Sequence, residues 1–143
     1  MPTRAELLGL VPPLAADHAA VIERLWAGVL DPVVLELCRL RLAMLLGSRV
    51  ALAERTPQAV AAGLDEAQVE KLSQWPTDPA FDQTQRAALA YAEQWLIDIH
   101  GVTDEQSAEL CGLLGEPAML VLTTALALWD GQHRFDNALE VNP

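Results

Sequence analysis

The segment of residues 32–46 constrains the fold of this chain most strongly, because its side chains are apolar on nearly every side of a helix. Asp31 and Pro32 are a typical cap and first-turn pair before it, and Gly47 is a typical stop signal after it. A helix without a polar face must be covered on all sides by other elements. We therefore expect this helix to lie at the centre of the domain.

Helical signals also continue along the rest of the chain. Apolar residues and His18 recur at three- and four-residue spacing after Pro12 and Pro13, in a first helix that should end near Gly28. A final helix is expected from about Glu116 to Phe135. No alternating pattern is long enough to predict a strand. The sequence thus predicts a compact all-α domain of six to seven helices.

Local signals between these helices predict shorter elements. Pro57 should break the helix that starts after Ser48, because proline removes a backbone donor. Asp65 with Gln68, and Asp82 with Gln85, have the spacing of capping boxes. Residues 75–81 contain two prolines and are expected to form the only extended loop.

Length and charge limit the classes of function. The 143 residues suit a single domain over 1–143, and a hydrophobic content of 52% argues against disorder. Nine basic against twenty acidic residues give a net charge of -11, which repels nucleic acid. The longest apolar stretch, residues 117–129, is shorter than the ~20 residues of a spanning helix. Residues 1–10 lack a targeting pattern, so we expect a cytoplasmic protein that binds neither membrane nor nucleic acid.

The cysteines and histidines do not form a recognisable metal or redox motif. Cys38 and Cys111 lie 73 positions apart, and we expect both to be reduced, buried and small hydrophobic residues. His18 and His100 are isolated in the sequence. No group of His, Cys and carboxylate residues has metal-ligand spacing, so the sequence predicts no metal and no cofactor.

Four segments, in order, resemble the carboxymuconolactone decarboxylase family, and more closely its alkylhydroperoxidase D-like branch. They are LDPVVLELCRLRLAMLLGS at 30–48, AAGLDEAQVEKLSQWP at 61–76, FDQTQRAALAYAE at 81–93 and WDGQHRFDNAL at 129–139. The resemblance covers most of residues 30–140. It implies an oligomeric helical domain and, in that branch, reduction of hydroperoxides by peroxiredoxin-like chemistry.

The resemblance also implies where an active site would lie. In that branch a glutamate precedes Cys-x-x-Cys-x-x-x-His by twelve residues, and the thiols reduce peroxide while Glu and His relay protons. Glu36 matches the glutamate, Ser48 and Ala51 stand at the two cysteine positions, and Arg55 stands at the histidine position. The redox dithiol is therefore replaced, and Cys38 and Cys111 match neither cysteine position.

Glu36 and Ser48 each allow two interpretations. Ser48 is either a helix N-cap or a nucleophile, and a serine nucleophile needs an adjacent base that Arg55 cannot provide. Glu36 is either a general acid or base with an elevated pKa, or one half of an ion pair with Arg55 or Arg39 that serves packing.

The substitutions suggest a binding site for an anion. The helix N–H groups after Ser48, together with Arg55 and Arg49, would form a cradle for a carboxylate ligand. His133 and Arg134 on the final helix fall in the region where relatives commonly carry an Asn-Arg pair close to the site, and Trp129 shares a helix face with His133. His133 is either the missing proton carrier or a capping or surface residue near the helix end.

Three classes of function remain open at this stage. The first is a small-molecule (carboxylate) binder or thiol-independent enzyme that uses Glu36, Ser48 and Arg55. The second is the alkylhydroperoxide reductase activity of the family, and the third is a non-catalytic oligomeric scaffold; lactone decarboxylation is a weaker alternative. A mean hydropathy of +0.20 favours a homo-oligomer, for which the family implies a trimer, a hexamer or a related ring, with a dimer also open.

Overall fold

The computed structural model describes residues 1–141, and within that range the regular structure is entirely helical. The α-helices are α1 (Arg4–Gly9), α2 (Pro12–Leu25), α3 (Pro32–Leu46), α4 (Arg49–Ala53), α5 (Pro57–Ala61), α6 (Glu66–Glu70), α7 (Gln83–Ile97), α8 (Asp104–Leu114) and α9 (Glu116–Ala138), and short 3-10 turns occupy Leu72–Gln74 and Ile99–Gly101. The all-α prediction is confirmed. The number of six to seven helices is too low for residues 1–141, since four α-helices of five or six residues supplement the longer ones.

Helix α3 is the buried centre that the sequence predicts. Asp31 caps it, because its carboxylate accepts the N–H of Val33 at 2.8 Å, and Gly47 ends it in the left-handed conformation at φ 70°. Nine of its residues are buried, including fully buried leucines at 35, 37, 40 and 42. The helix packs against α7 and α9.

The N-terminal helices lie against the last one. Helix α2 packs on α9, and α1 packs on α2. Thr3 and Glu6 form a reciprocal capping box that starts α1, a helix that the sequence patterns did not predict. The guanidinium of Arg4 then binds the carboxylate of Asp136 on α9, with Nε to Oδ1 at 2.9 Å. The first residues of the chain are thereby attached to the final helix.

Two of the local predictions are confirmed and one is wrong. Pro57 separates α4 from α5, and Asp82 with Gln85 forms a capping box at α7. Asp65 caps α6 by accepting the N–H of Ala67, but the side chain of Gln68 does not accept the backbone N–H of Asp65, as a capping box requires. Its amide instead donates to the carbonyl of Ala80 at 2.8 Å and to Gln85 at 2.9 Å, so it ties α6 to the loop and to α7.

No single helix among residues 1–141 combines the length and the apolar character that crossing a membrane requires.

Candidate functional site

A cleft of about 620 Å³ opens between α2, α3, the α4–α5 connection and α9. Its lining includes tryptophans (Trp26, Trp129), histidines (His18, His133), arginines (Arg4, Arg39, Arg55) and glutamates (Glu23, Glu54). These residues come from five regions that are distant in sequence, so only the packing of the helices brings them together. The size suits a small organic ligand, for which pockets of about 300–1,000 Å³ are usual.

Glu36 lies fully buried on α3, behind the cleft wall. Its carboxylate accepts four hydrogen bonds. Arg39 donates from Nε at 2.9 Å and from Nη2 at 2.6 Å, and Thr56 donates from its backbone N–H at 3.0 Å and from Oγ1 at 2.7 Å. The carboxylate is therefore saturated by protein donors.

These contacts decide between the two interpretations of Glu36. Burial by itself raises the pKa of Glu36, but the hydrogen bonds and positive charge of Arg39 and the hydrogen bonds of Thr56 outweigh burial. The pKa of Glu36 lies below its ordinary value of 4.5. The prediction of an elevated pKa is thus wrong, and the alternative of an ion pair with Arg39 is confirmed.

Arg39 extends this ion pair into the wall of the cleft. Its Nη1 donates to the carbonyl of Ala51 at 2.9 Å, and its Nη2 donates to the carbonyl of Glu54 at 2.9 Å. These carbonyls belong to the end of α4, where intrahelical partners are lacking. Glu36 and Arg39 together fasten α4 and the following turn to the central helix, and so shape one side of the cleft.

Arg55 lines the cleft but binds a different carboxylate from the expected one. It pairs with the exposed Glu66, with Nε and Nη2 at 2.7 and 3.1 Å from the two carboxylate oxygens, and its Nη1 donates to the carbonyls of Leu52 and Glu54. The alternative of a direct Glu36–Arg55 ion pair is therefore wrong. The hydrogen bond with Glu66 is the main reason why the pKa of Arg55 is raised.

The predicted cradle at the start of α4 is not assembled. The Oγ atom of Ser48 accepts the N–H of Ala51 at 3.3 Å, as the N-cap interpretation requires. Ser48 and Arg49 do not line the cleft, and Arg49 is exposed to solvent. Ala51 does line it, with a methyl group at the position that the family resemblance assigns to a cysteine.

His133 on α9 is a buried histidine in the wall of the cleft. Its side chain is 6% exposed and lines the cleft, and its buried Nδ1 has no hydrogen-bond partner among residues 1–141. Burial lowers the pKa of His133 more than Asp136 raises it, which favours the neutral imidazole. The interpretation of His133 as a surface residue is wrong. Trp129, one turn earlier on the same face, lines the cleft beside it.

His18 also lines the cleft, although it is isolated from other histidines and cysteines in the sequence. It lies 2.7 Å from the side-chain amide of Gln132, measured between the two Nε2 atoms. Burial and the charge of Arg4 lower the pKa of His18. His18 and Ile22 on α2, and Trp26 directly after its last residue, line the cleft at four-residue spacing, so the helical periodicity was a signal that could have identified them.

The remaining candidates lie outside the cleft. Arg134 is 77% exposed and pairs with Asp130 at 3.1 Å. Cys38 is fully buried, and burial raises the pKa of its thiol to about 12. Cys111 is half-buried on α8, so the expectation of buried cysteines holds fully only for Cys38. Within residues 1–141 there is no cluster of three or more His, Cys, Asp or Glu side chains able to hold a metal ion.

In sequence, the chain matches no protein-family model and no curated protein. In structure, it is similar to a cysteine-to-alanine variant of the debrominase Bmp8, solved in complex with 2,3,4-tribromopyrrole. The TM-score is 0.81 at 18% identity, and the match covers 99% of this chain and 76% of that one. At this level of identity the similarity establishes the all-α fold that the two proteins share.

Proposed function

We propose that this protein binds a small aromatic carboxylate in the cleft and does so without thiol chemistry. The observation that carries the proposal is the buried Nδ1 of His133, which has no partner within residues 1–141 and belongs to a side chain that lines the cleft beside Trp129. A buried polar atom without a hydrogen bond costs about 1–3 kcal/mol. A ligand in the cleft recovers this free energy when the imidazole ring turns its Nδ1 towards the ligand.

The neighbouring groups define the chemistry of the ligand. Trp26 and Trp129 offer the aromatic surface that a planar ring packs against. Arg39 and Arg55 both line the cleft, and each donates four of its five N–H groups to protein acceptors within residues 1–141. The fifth N–H of each arginine and an N–H of His133 suit the oxygens of a carboxylate.

The structural comparison supports the size and shape of this ligand. A protein with the same fold is known in complex with 2,3,4-tribromopyrrole, which is a small planar aromatic molecule. The fold is thus compatible with a ligand of this class, and the arginines and histidines of the present cleft favour one that bears an anionic group.

The test is a titration of the purified protein with benzoate and, in parallel, with its neutral analogue benzamide. Binding is followed by tryptophan fluorescence and by the thermal midpoint of unfolding. A ligand at 100 times its Kd stabilises the folded state by about 2.7 kcal/mol. We expect benzoate to raise the midpoint and to change the fluorescence, and benzamide to act only at much higher concentration.

Variants of two histidines identify the site. His133→Ala and His133→Gln should both weaken benzoate binding at least tenfold, whereas His100→Ala, which alters an exposed histidine on the 3-10 turn, should leave it unchanged. Circular dichroism confirms that each variant is folded. Unaltered stability with millimolar benzoate, or binding that persists in both His133 variants, would overturn the proposal.

Two catalytic functions stay as predictions. A thiol-independent enzyme would use the same cleft, with the neutral imidazole of His133 as the group that accepts a proton. Hydroperoxide reduction has weaker support, since the described lining of the cleft includes no cysteine. Peroxide consumption that is equal in the wild type and in a Cys38→Ala/Cys111→Ala variant would argue against the thiol mechanism.

We also propose that the protein self-associates, whether or not it has a catalytic role. Large apolar side chains are exposed around the α1–α2 junction, with Leu10 78% and Leu14 52% exposed, and Leu120 on α9 is 69% exposed. Contact with a second copy would remove this apolar surface from water.

A further inference from the structure

A second cavity adjoins the cleft on the side of α1 and has a different chemical character. It is a groove of about 230 Å³ between α1, α2 and α9, lined mainly by the apolar groups of Leu8, Leu128, Gly131 and Phe135. No part of the proposed binding of a carboxylate requires this groove. Its apolar lining nevertheless gives an alkyl group a surface on which to leave water.

The groove and the cleft are adjacent and share lining residues. Arg4, His18 and Gln132 line both cavities. His18 and Gln132 are held to each other at 2.7 Å, and Arg4 is held by Asp136, so the polar groups at the junction have partners within the protein. A ligand that passes between the cavities therefore meets polar atoms that are already paired, followed by an apolar surface.

We infer that the ligand carries an unbranched alkyl chain, which leaves the cleft beside His18 and Gln132 and lies in the groove. This inference rests on the proposed function, since it takes the aromatic carboxylate as the head group. The ligand class becomes that of alkyl-substituted aromatic carboxylates. Each methylene that enters the groove should tighten binding about fourfold, which corresponds to about 0.8 kcal/mol per buried CH₂.

The experiment compares benzoate with 4-alkylbenzoates whose chain grows from methyl to pentyl. Affinities are measured with the wild-type protein by tryptophan fluorescence, at ligand concentrations below micelle formation. We expect the Kd to fall with each added carbon and then to level off once the groove is filled. A Kd that is independent of chain length would overturn the inference.

A variant that fills the groove provides the second measurement. A Cβ atom on Gly131 meets no other atom within 4 Å, so Gly131→Leu can place its side chain in the groove without displacing the backbone. Leucine is also a better helix former than glycine, which protects folding. In this variant we expect the alkylbenzoates to bind no more tightly than benzoate.

Gly112→Leu is the matched control. Gly112 lies on α8, a Cβ atom there also meets nothing within 4 Å, and it lines neither the cleft nor the groove. The control should keep the full dependence on chain length, and loss of that dependence in both variants would overturn the inference.

The two proposals fail in distinguishable ways. If benzoate binds and the alkyl group adds no affinity, the inference about the groove is wrong while the proposed function stands. If neither benzoate nor any alkylbenzoate binds, both are wrong. Light scattering on Gly131→Leu adds a further outcome. If this variant differs in mass from the wild type, and the Kd of the wild type is independent of alkyl length, the groove is assigned to a second copy of the protein.

Discussion

The carboxylate of Glu36 and the guanidinium of Arg39, one turn apart on α3, form a two-bond ion pair with donor–acceptor distances of 2.6 and 2.9 Å in the interior of the protein. Charges in such a place are costly unless each has partners. Thr56 completes the partners of Glu36, and the carbonyls of Ala51 and Glu54 complete those of Arg39. The pair therefore acts as a structural joint between the central helix and the cleft wall.

Removal of one partner should destabilise the fold severely. Glu36→Ala leaves the charge of Arg39 buried without a counterion, and we expect a loss of about 3–5 kcal/mol in the free energy of unfolding. Urea denaturation measures this loss. Arg134→Ala, which breaks an exposed ion pair on α9, is the control and should change stability by less than about 0.5 kcal/mol. A loss below about 1 kcal/mol for Glu36→Ala would contradict the assigned role.

The same pair should make stability depend on pH in the acid range. The pKa of Glu36 is lower in the folded than in the unfolded protein, so its contribution is complete above the ordinary value of 4.5 and is lost as the pH falls through the folded value. We expect the stability difference between wild type and Glu36→Gln to be largest at neutral pH and to narrow below pH 4.5. Urea denaturation at several pH values tests this. A difference that stays constant down to pH 3 would show that Glu36 is not held ionised by its partners.

Ser48 should matter for helix stability and not for binding. Its hydroxyl caps α4 by accepting the N–H of Ala51, and loss of an N-cap costs about 1 kcal/mol. Ser48→Ala should lower the free energy of unfolding by about that amount and leave the Kd for benzoate unchanged. Ser48→Asp keeps the capping acceptor and should restore stability. If a fully folded Ser48→Ala variant binds benzoate more weakly, Ser48 takes part in binding.

The two thiols should differ in reactivity. Cys38 is fully buried with a pKa raised to about 12, which suppresses the reactive thiolate, whereas Cys111 is only half-buried. In the folded Cys111→Ala variant, we expect a maleimide to leave Cys38 unmodified by mass spectrometry until urea unfolds the protein. Cys38→Ala is the companion variant for Cys111. Rapid modification of Cys38 without denaturant would show that α3 is accessible to solvent.

Self-association is the last prediction. Leu10 and Leu120 are largely exposed on the single chain, and burial of such side chains against another copy is favourable. We expect multi-angle light scattering at micromolar concentration to give a multiple of the 15.5 kDa chain mass. Leu10→Glu and Leu120→Glu test each surface separately, with Val60→Glu on α5 as a control at another exposed apolar position. A monomer at these concentrations would refute the prediction.

Much of the fold could be predicted from local signals. The bounds of α3 follow from Asp31, Pro32 and Gly47, because caps and stop signals act within a few residues of chain. The interruption at Pro57 follows from the missing backbone donor. The capping box at Asp65 failed because the amide of Gln68 found partners at Ala80 and Gln85, which no local pattern reveals.

The sequence by itself determined the helical class and the central place of α3, since both depend on periodicity and capping. Only the tertiary structure decided the site. In the folded protein Glu36 pairs with Arg39, and Arg55 pairs with Glu66, although charge alone would allow Glu36 to pair with either arginine. The tertiary structure also brought His18 and His133, 115 positions apart in the sequence, to one cleft. Ion pairs and cavities depend on distances between helices, and these distances are set by packing rather than by sequence spacing.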